Sequence, residues 1–146
     1  FRAQLDMAKE LSMPVVIHSR EAERDTEVIL REYLRKLPPS IMHCYSYSKE
    51  SAREFVQMDY YLGIGGVVTF KNAKKLVEAV EDTPLSKIVL ETDCPYLSPE
   101  PNRGKRNSSL NLPYIVEKIA QIKNVAPEEV IEVTTSNAKE LYGIPI

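Results

Sequence analysis

What this chain has little of narrows its function before any motif is read. It carries two cysteines, Cys44 and Cys94, with no C-x-x-C pair. That excludes a disulfide framework and fits a reducing, cytoplasmic setting. It has no basic excess: 19 Lys and Arg against 21 Asp and Glu leave a net charge of -2. General electrostatic capture of nucleic acid is thereby excluded, although a bound metal can still supply positive charge locally. No run of about 18 apolar residues and no charged-then-apolar leader occurs, so neither membrane insertion nor export is expected. No repeat, low-complexity tract or linker divides the chain. It begins with Phe1 rather than Met, which is expected of a fragment or a processed product.

What is present is ordinary in composition and regular in order. With 43% hydrophobic and 27% charged residues over 146 positions, the chain suits one globular domain able to bury roughly 70% of its unfolded surface. Phe1, Leu5, Ala8 and Leu11 recur at helical spacing over Phe1–Ser12. A short strand, Pro14–Ile17, then ends at His18. A helix over Ala22–Lys36 stops at Pro38-Pro39, and a strand over Ser40–Met42 ends at His43. Ser48 caps a helix running to about Met58. Tyr60–Ile64 forms a third strand that runs into Gly65-Gly66. Val67–Lys71 either extends that strand or crosses the top of the sheet. Asn72 caps a further helix, and Lys87–Leu90 is the fourth strand. Pro113 opens one helix. Pro127 opens the last, with a break expected near Thr134-Thr135 and an end at Gly143. The sum is four strand-helix units about 20 to 26 residues apart, an α/β chain with buried parallel strands.

The chemistry gathers at one end of those strands. The stretch Leu85–Arg106 passes from Ile88-Val89-Leu90 straight into Glu91-Thr92-Asp93 and then into a proline-rich, basic loop. Ligands bind at the carboxyl ends of parallel strands, so carboxylates there are chemically placed. His18, His43 and Asp93 each follow a strand at that end. One such histidine alone reads as a hydrogen-bonded core residue, but three donors of nitrogen and oxygen on one rim read as a metal site. Glu91 reads as a partner of a ligand or of the lid rather than as a ligand. Cys44 and Cys94 read as small fillers more than soft ligands. Arg20 either grips a phosphate or begins a solvated helix. Arg103, Lys105 and Arg106, with Gly104 permitting a tight turn, read as phosphate contacts. Lys71, Lys74 and Lys75 read as a charged surface face. A Ser19 or Ser46 nucleophile beside His43 is discounted, because no strained elbow surrounds either serine.

The segments Val16-Ile17-His18-Ser19-Arg20, Met42-His43-Cys44, Gly66–Ala73, Glu91-Thr92-Asp93-x-Pro95-Tyr96-Leu97 and Arg103–Asn107, in this order, together resemble the TatD family of metal-dependent deoxyribonucleases. The resemblance implies a (β/α)8 barrel of the amidohydrolase type, with two divalent metals, zinc, manganese or magnesium, at the carboxyl ends of its strands. It implies that His18 and His43 are metal ligands from the fifth and sixth strands. It also implies that Asp93 both binds metal and takes a proton from the attacking water, which makes it catalytic. The family's His-x-His pair and its strand-four glutamate have no counterpart here, and Tyr47 stands where the family usually has glycine. A complete barrel needs about 250 residues and at least around 200. The chain is therefore expected to be the carboxyl-terminal half of such a barrel, with about four βα units. It is expected to act on DNA and to need either its missing amino-terminal half or a second copy. Two rivals share the scaffold: a hydrolase of another ester or amide, and a half-barrel binding domain without metals.

Overall fold

The computed structural model describes residues 1–145. Four short apolar runs form one parallel sheet in the order β1 (Val16–His18), β2 (Ser40–His43), β3 (Tyr60–Ile64) and β4 (Ile88–Leu90). Six helices accompany them: α1 (Arg2–Leu11), α2 (Glu23–Glu32), α3 (Lys49–Gln57), α4 (Lys74–Asp82), α5 (Leu112–Lys123) and α6 (Pro127–Tyr142). Each of the first three strands leads into a helix that returns the chain to the start of the next, parallel strand, the repeating unit of parallel α/β folds.

Strand alternation divides the sheet into two faces. Ile17, Met42, Leu62, Ile64 and Ile88 point toward the helices and join Leu30, Phe55, Leu76, Val80, Ile115 and Ile119 in the main core. Phe55, fully buried, meets Tyr45 and Tyr60 edge-on. A void in its place would cost about 3 to 5 kcal/mol. The opposite face carries Ile41, Tyr61 and Val89, covered by Leu141 of α6. Paired register places His18 beside His43, and Gly63 beside Val89, on that same second face. The site is built there.

Local chemistry sets the element ends, and it departs from the sequence expectation in four places. Ser48 does cap α3, its hydroxyl accepting the Ser51 N–H at 3.3 Å. β1, however, begins at Val16 and includes His18. Pro14 has no N–H for the ladder, and Val15 N–H goes instead to the Ser40 hydroxyl. α2 stops at Glu32, short of Lys36, because Arg35 enters the left-handed region at φ 59°. α4 starts after Ala73 rather than after Asn72, since the Ala73 N–H to Phe70 carbonyl bond holds these residues in a turn. α6 is unbroken: Thr134 donates its hydroxyl to the Val130 carbonyl at 2.7 Å and so stays within the helix.

The ambiguous stretch after β3 crosses the top of the sheet as a single 3₁₀ turn, Gly66–Thr69. Gly66 is needed there for space. A Cβ on it would lie 2.2 Å from the Leu97 carbonyl oxygen, so the loop after β4 can seat against this turn only if no side chain intervenes. Thr69 fastens the same contact, accepting the Glu100 N–H at 2.9 Å.

Candidate metal centre

Because β1 and β2 end in register, the rings of His18 and His43 stand 5.7 Å apart, centroid to centroid. β4 ends one residue before Glu91, whose N–H still bonds the Ile64 carbonyl. Asp93 then takes a left-handed backbone, φ 53°, and brings its Oδ1 to 3.2 Å from His43 Nε2. His18, His43 and Asp93 line one cavity of about 270 Å³ together with Arg20, Ser19, Cys44, Ser46, Val67 and Leu97.

Glu91 fixes the orientation of His43. Its Oε2 lies 2.9 Å from His43 Nδ1, and its Oε1 accepts the Cys44 N–H at 2.6 Å. Burial pushes the Glu91 carboxyl upward in pKa; the adjacent His43 opposes that shift. With Nδ1 engaged by Glu91, Nε2 is the ring nitrogen turned toward Asp93. The arrangement needs Gly63 on the neighbouring strand. A Cβ there would sit 2.5 Å from Glu91 Oε2.

The donor chemistry suits a divalent cation. An imidazole nitrogen and a carboxylate oxygen 3.2 Å apart are both electron-rich, and they require a proton or a cation between them. Nitrogen and oxygen donors of this kind take zinc or manganese. Among the described residues, however, no group of three or more His, Cys, Asp or Glu side chains is arranged to hold an ion. His18, His43 and Asp93 by themselves therefore do not form a complete ion site. Beside them, burial, with Glu91 and Asp93 nearby, pushes the Cys44 thiol up to about 12.

The remaining candidates fall in three places. Arg20 stands at the cavity rim. Ser19 lines the cavity, but its hydroxyl is bonded to Thr26 and to the Tyr47 phenol at 2.7 Å each, an arrangement unlike a nucleophile paired with His43. Tyr47 thereby ties the loop after β2 to the loop after β1. Arg103, Lys105 and Arg106 are exposed on the outer turn at Gly104, and none lines the cavity. Arg103 lies over the Phe70 ring at 4.2 Å. The expected inward-facing lid of basic residues is therefore not what this turn forms. Sequence reasoning missed Gly63 and Asn107; the second was quoted in a motif without a role.

Comparison with known proteins bears on the family and the fold. A family model described as TatD related DNase matches residues 1–143. A relative in Bacillus subtilis, named as the uncharacterized metal-dependent hydrolase YabD, is 46% identical over 144 residues, covering 99% of this chain and 56% of the relative. A Citrobacter rodentium protein named 3'-5' ssDNA/RNA exonuclease TatD is 35% identical over 152 residues, covering 100% of this chain and 57% of that protein. The crystal structure of the TatD homologue YJJV of Escherichia coli superposes with a TM-score of 0.90 at 26% identity, over 99% of this chain and 55% of that one. The chain spans about half the length of the relatives it matches, and its four βα units are a half-length TIM barrel.

Proposed function

We propose, from the premise that this chain belongs to the TatD related DNase family, that it supplies half the active site of a metal-dependent hydrolase cleaving phosphodiester bonds in nucleic acid. The observation that carries this reading is the meeting of His18, His43 and Asp93 around one cavity with Arg20 at its rim. His18, His43 and Asp93 are the donors that would hold a divalent ion. When bound, such an ion polarises the phosphoryl group and makes water acidic enough to attack near neutral pH.

The chain's own residues do the rest. Glu91 keeps His43 aimed at the cavity. Asp93 accepts the proton of the attacking water as the new P–O bond forms, and the ester P–O bond breaks with the departing oxygen taking up a proton from solvent to leave as an alcohol. Arg20 offers a guanidinium fork to the non-bridging phosphate oxygens. Arg103, Lys105 and Arg106, on the outer turn, contact phosphates of a longer strand away from the reacting one. A nucleic-acid substrate is consistent with the name of the Citrobacter rodentium relative.

The test is cleavage of single- and double-stranded DNA, beside ester and amide substrates, by the protein as its source makes it. Chelation should abolish cleavage, and added manganese or zinc should restore it. His43→Ala should lower turnover on the order of 10²-fold or more. Undiminished cleavage by His43→Ala, or preference for an ester or amide over DNA, refutes the proposal.

A further inference from the structure

We infer that Asn107 is the positioning residue that holds Asp93 in place, an inference that rests on the reading of Asp93 given above. The segment from Glu91 to Ser108 is neither helix nor strand, so no ladder of backbone bonds fixes it. Asp93 within it takes φ 53°, a left-handed conformation that aspartate tolerates better than most residues. One buried side chain gathers the backbone on either side of it. Asn107 Nδ2 donates to the Thr92 carbonyl and to the Tyr96 carbonyl, each at 2.7 Å. Its Oδ1 accepts the Ser108 N–H at 2.9 Å and the Asn111 Nδ2 at 2.8 Å. Its backbone N–H reaches the Pro95 carbonyl at 3.0 Å.

An asparagine amide has two hydrogens to donate and one carbonyl oxygen with two lone pairs. All four are used, in a residue only 3% exposed. The orientation of the amide is also determined by backbone groups, because the Thr92 and Tyr96 carbonyls can only accept and the Ser108 N–H can only donate; Asn111 Nδ2 and Asn102 fit that same orientation. The two carbonyls that Asn107 grips bracket Asp93. A further bond, Tyr96 N–H to the Asp93 carbonyl at 2.9 Å, closes the turn between them. Holding residues 92 and 96 by one rigid amide therefore fixes the arc that carries the carboxylate to His43. Asn107 itself lines no part of the cavity, so it acts through Asp93 and does not touch substrate.

Asn107→Asp tests this, since it is nearly isosteric but turns an oxygen toward two carbonyls that need donors. Ser98→Ala serves as the comparison. It cuts a different tie of the same loop, the Ser98 hydroxyl to Lys105 carbonyl bond at 2.6 Å, without freeing the residues that flank Asp93. Both variants are made in the protein as its source makes it. Mn²⁺ binding is titrated by calorimetry, and kcat and KM are measured on bis(p-nitrophenyl) phosphate at saturating Mn²⁺. Asn107→Asp should weaken Mn²⁺ binding about tenfold or more and lower kcat with KM little changed. Ser98→Ala should leave both parameters as they were while lowering the melting temperature.

A folded Asn107→Asp protein with native Mn²⁺ affinity and kcat overturns the inference, as does an equal loss in Ser98→Ala. If Asn107→Asp does not fold, Asn111→Ala decides. It removes one support of the Asn107 amide, and it should shift Mn²⁺ affinity in the same direction by less; no shift overturns the inference. Asp93→Asn separates the two levels. Full activity in that variant overturns the reading of the site and this inference with it, whereas loss there beside native behaviour of Asn107→Asp overturns the inference alone.

Discussion

His18, His43 and Asp93 were legible as site candidates because each lies at or within three residues of the end of a short apolar run, and runs of that kind in an α/β chain bring their ends to one rim. Gly63 was not legible. Its requirement comes from Glu91, just past the end of the neighbouring strand, and no property of the local sequence around Gly63 announces a carboxylate 2.5 Å from its missing Cβ. The basic residues after Asp93 were legible as charge but not in placement: charge can be read from sequence, but the direction in which a turn presents it cannot. The cysteines provide a prediction at this scale. Cys44 and Cys94 are both free, but burial and two carboxylates push the Cys44 thiol up to about 12, whereas Cys94 is exposed. An acid with a raised pKa stays protonated further up the pH scale. At pH 8 roughly one Cys44 in 10⁴ is the reactive thiolate. Iodoacetamide at pH 8 should therefore label Cys94 and spare Cys44 in the folded protein, with Cys44 labelled once urea unfolds it. Peptide mapping that found equal labelling of both in the native state would contradict the environment described for Cys44.

At the scale of elements, existence was easier to read than extent. Hydrophobic spacing located every strand and every helix, but the end of α2 was set by Arg35 leaving helical backbone, and the start of α4 by a turn bond from Ala73 to Phe70. Neither leaves a pattern in the sequence. The supposed break in α6 shows the same limit, since a threonine pair looks unfavourable for helix until the buried Thr134 hydroxyl finds the Val130 carbonyl. α6 also has a role in placing the site. Buried Asn137 donates from one amide nitrogen to the Leu85 carbonyl at 2.9 Å and to the Ile88 carbonyl at 2.8 Å, which ties the helix to the entrance of β4. Asn137→Ala leaves both acceptors buried without that donor. It should destabilise the fold by about 1 to 3 kcal/mol, read as a lower urea midpoint at unchanged slope. An unaltered midpoint would mean that water replaces the amide there and that α6 is held by its apolar contacts alone.

For the whole molecule, the sheet's two outer strands matter most. β1 and β4 each pair on one side only. Val16 on β1 is 55% exposed, and Phe1, Met7, Leu11 and Met13 nearby are exposed as well. Beside β4, Leu90, Leu112, Pro113, Val116 and Ile131 line an apolar recess of about 310 Å³. Unpaired N–H and C=O groups flanked by apolar side chains are a template for another strand, and natural edges are ordinarily blunted by charge, proline or cover. Neither edge strand carries a charged side chain before its histidine or carboxylate end. Parallel edges of this kind are complementary to one another, because β4 of one copy can lie beside β1 of a second in the same direction. The 146-residue chain alone is therefore expected to self-associate, sedimenting above the 16.6 kDa of one chain with a concentration-dependent coefficient. Val16→Lys should shift the population toward the single chain by placing an ammonium on the open edge. A single 16.6 kDa boundary at every concentration, with no response to Val16→Lys, would mean that the open strands are protected by some other means. The half-length sheet would then be self-sufficient, and the proposed need for a second half would rest on the proposed metal site alone.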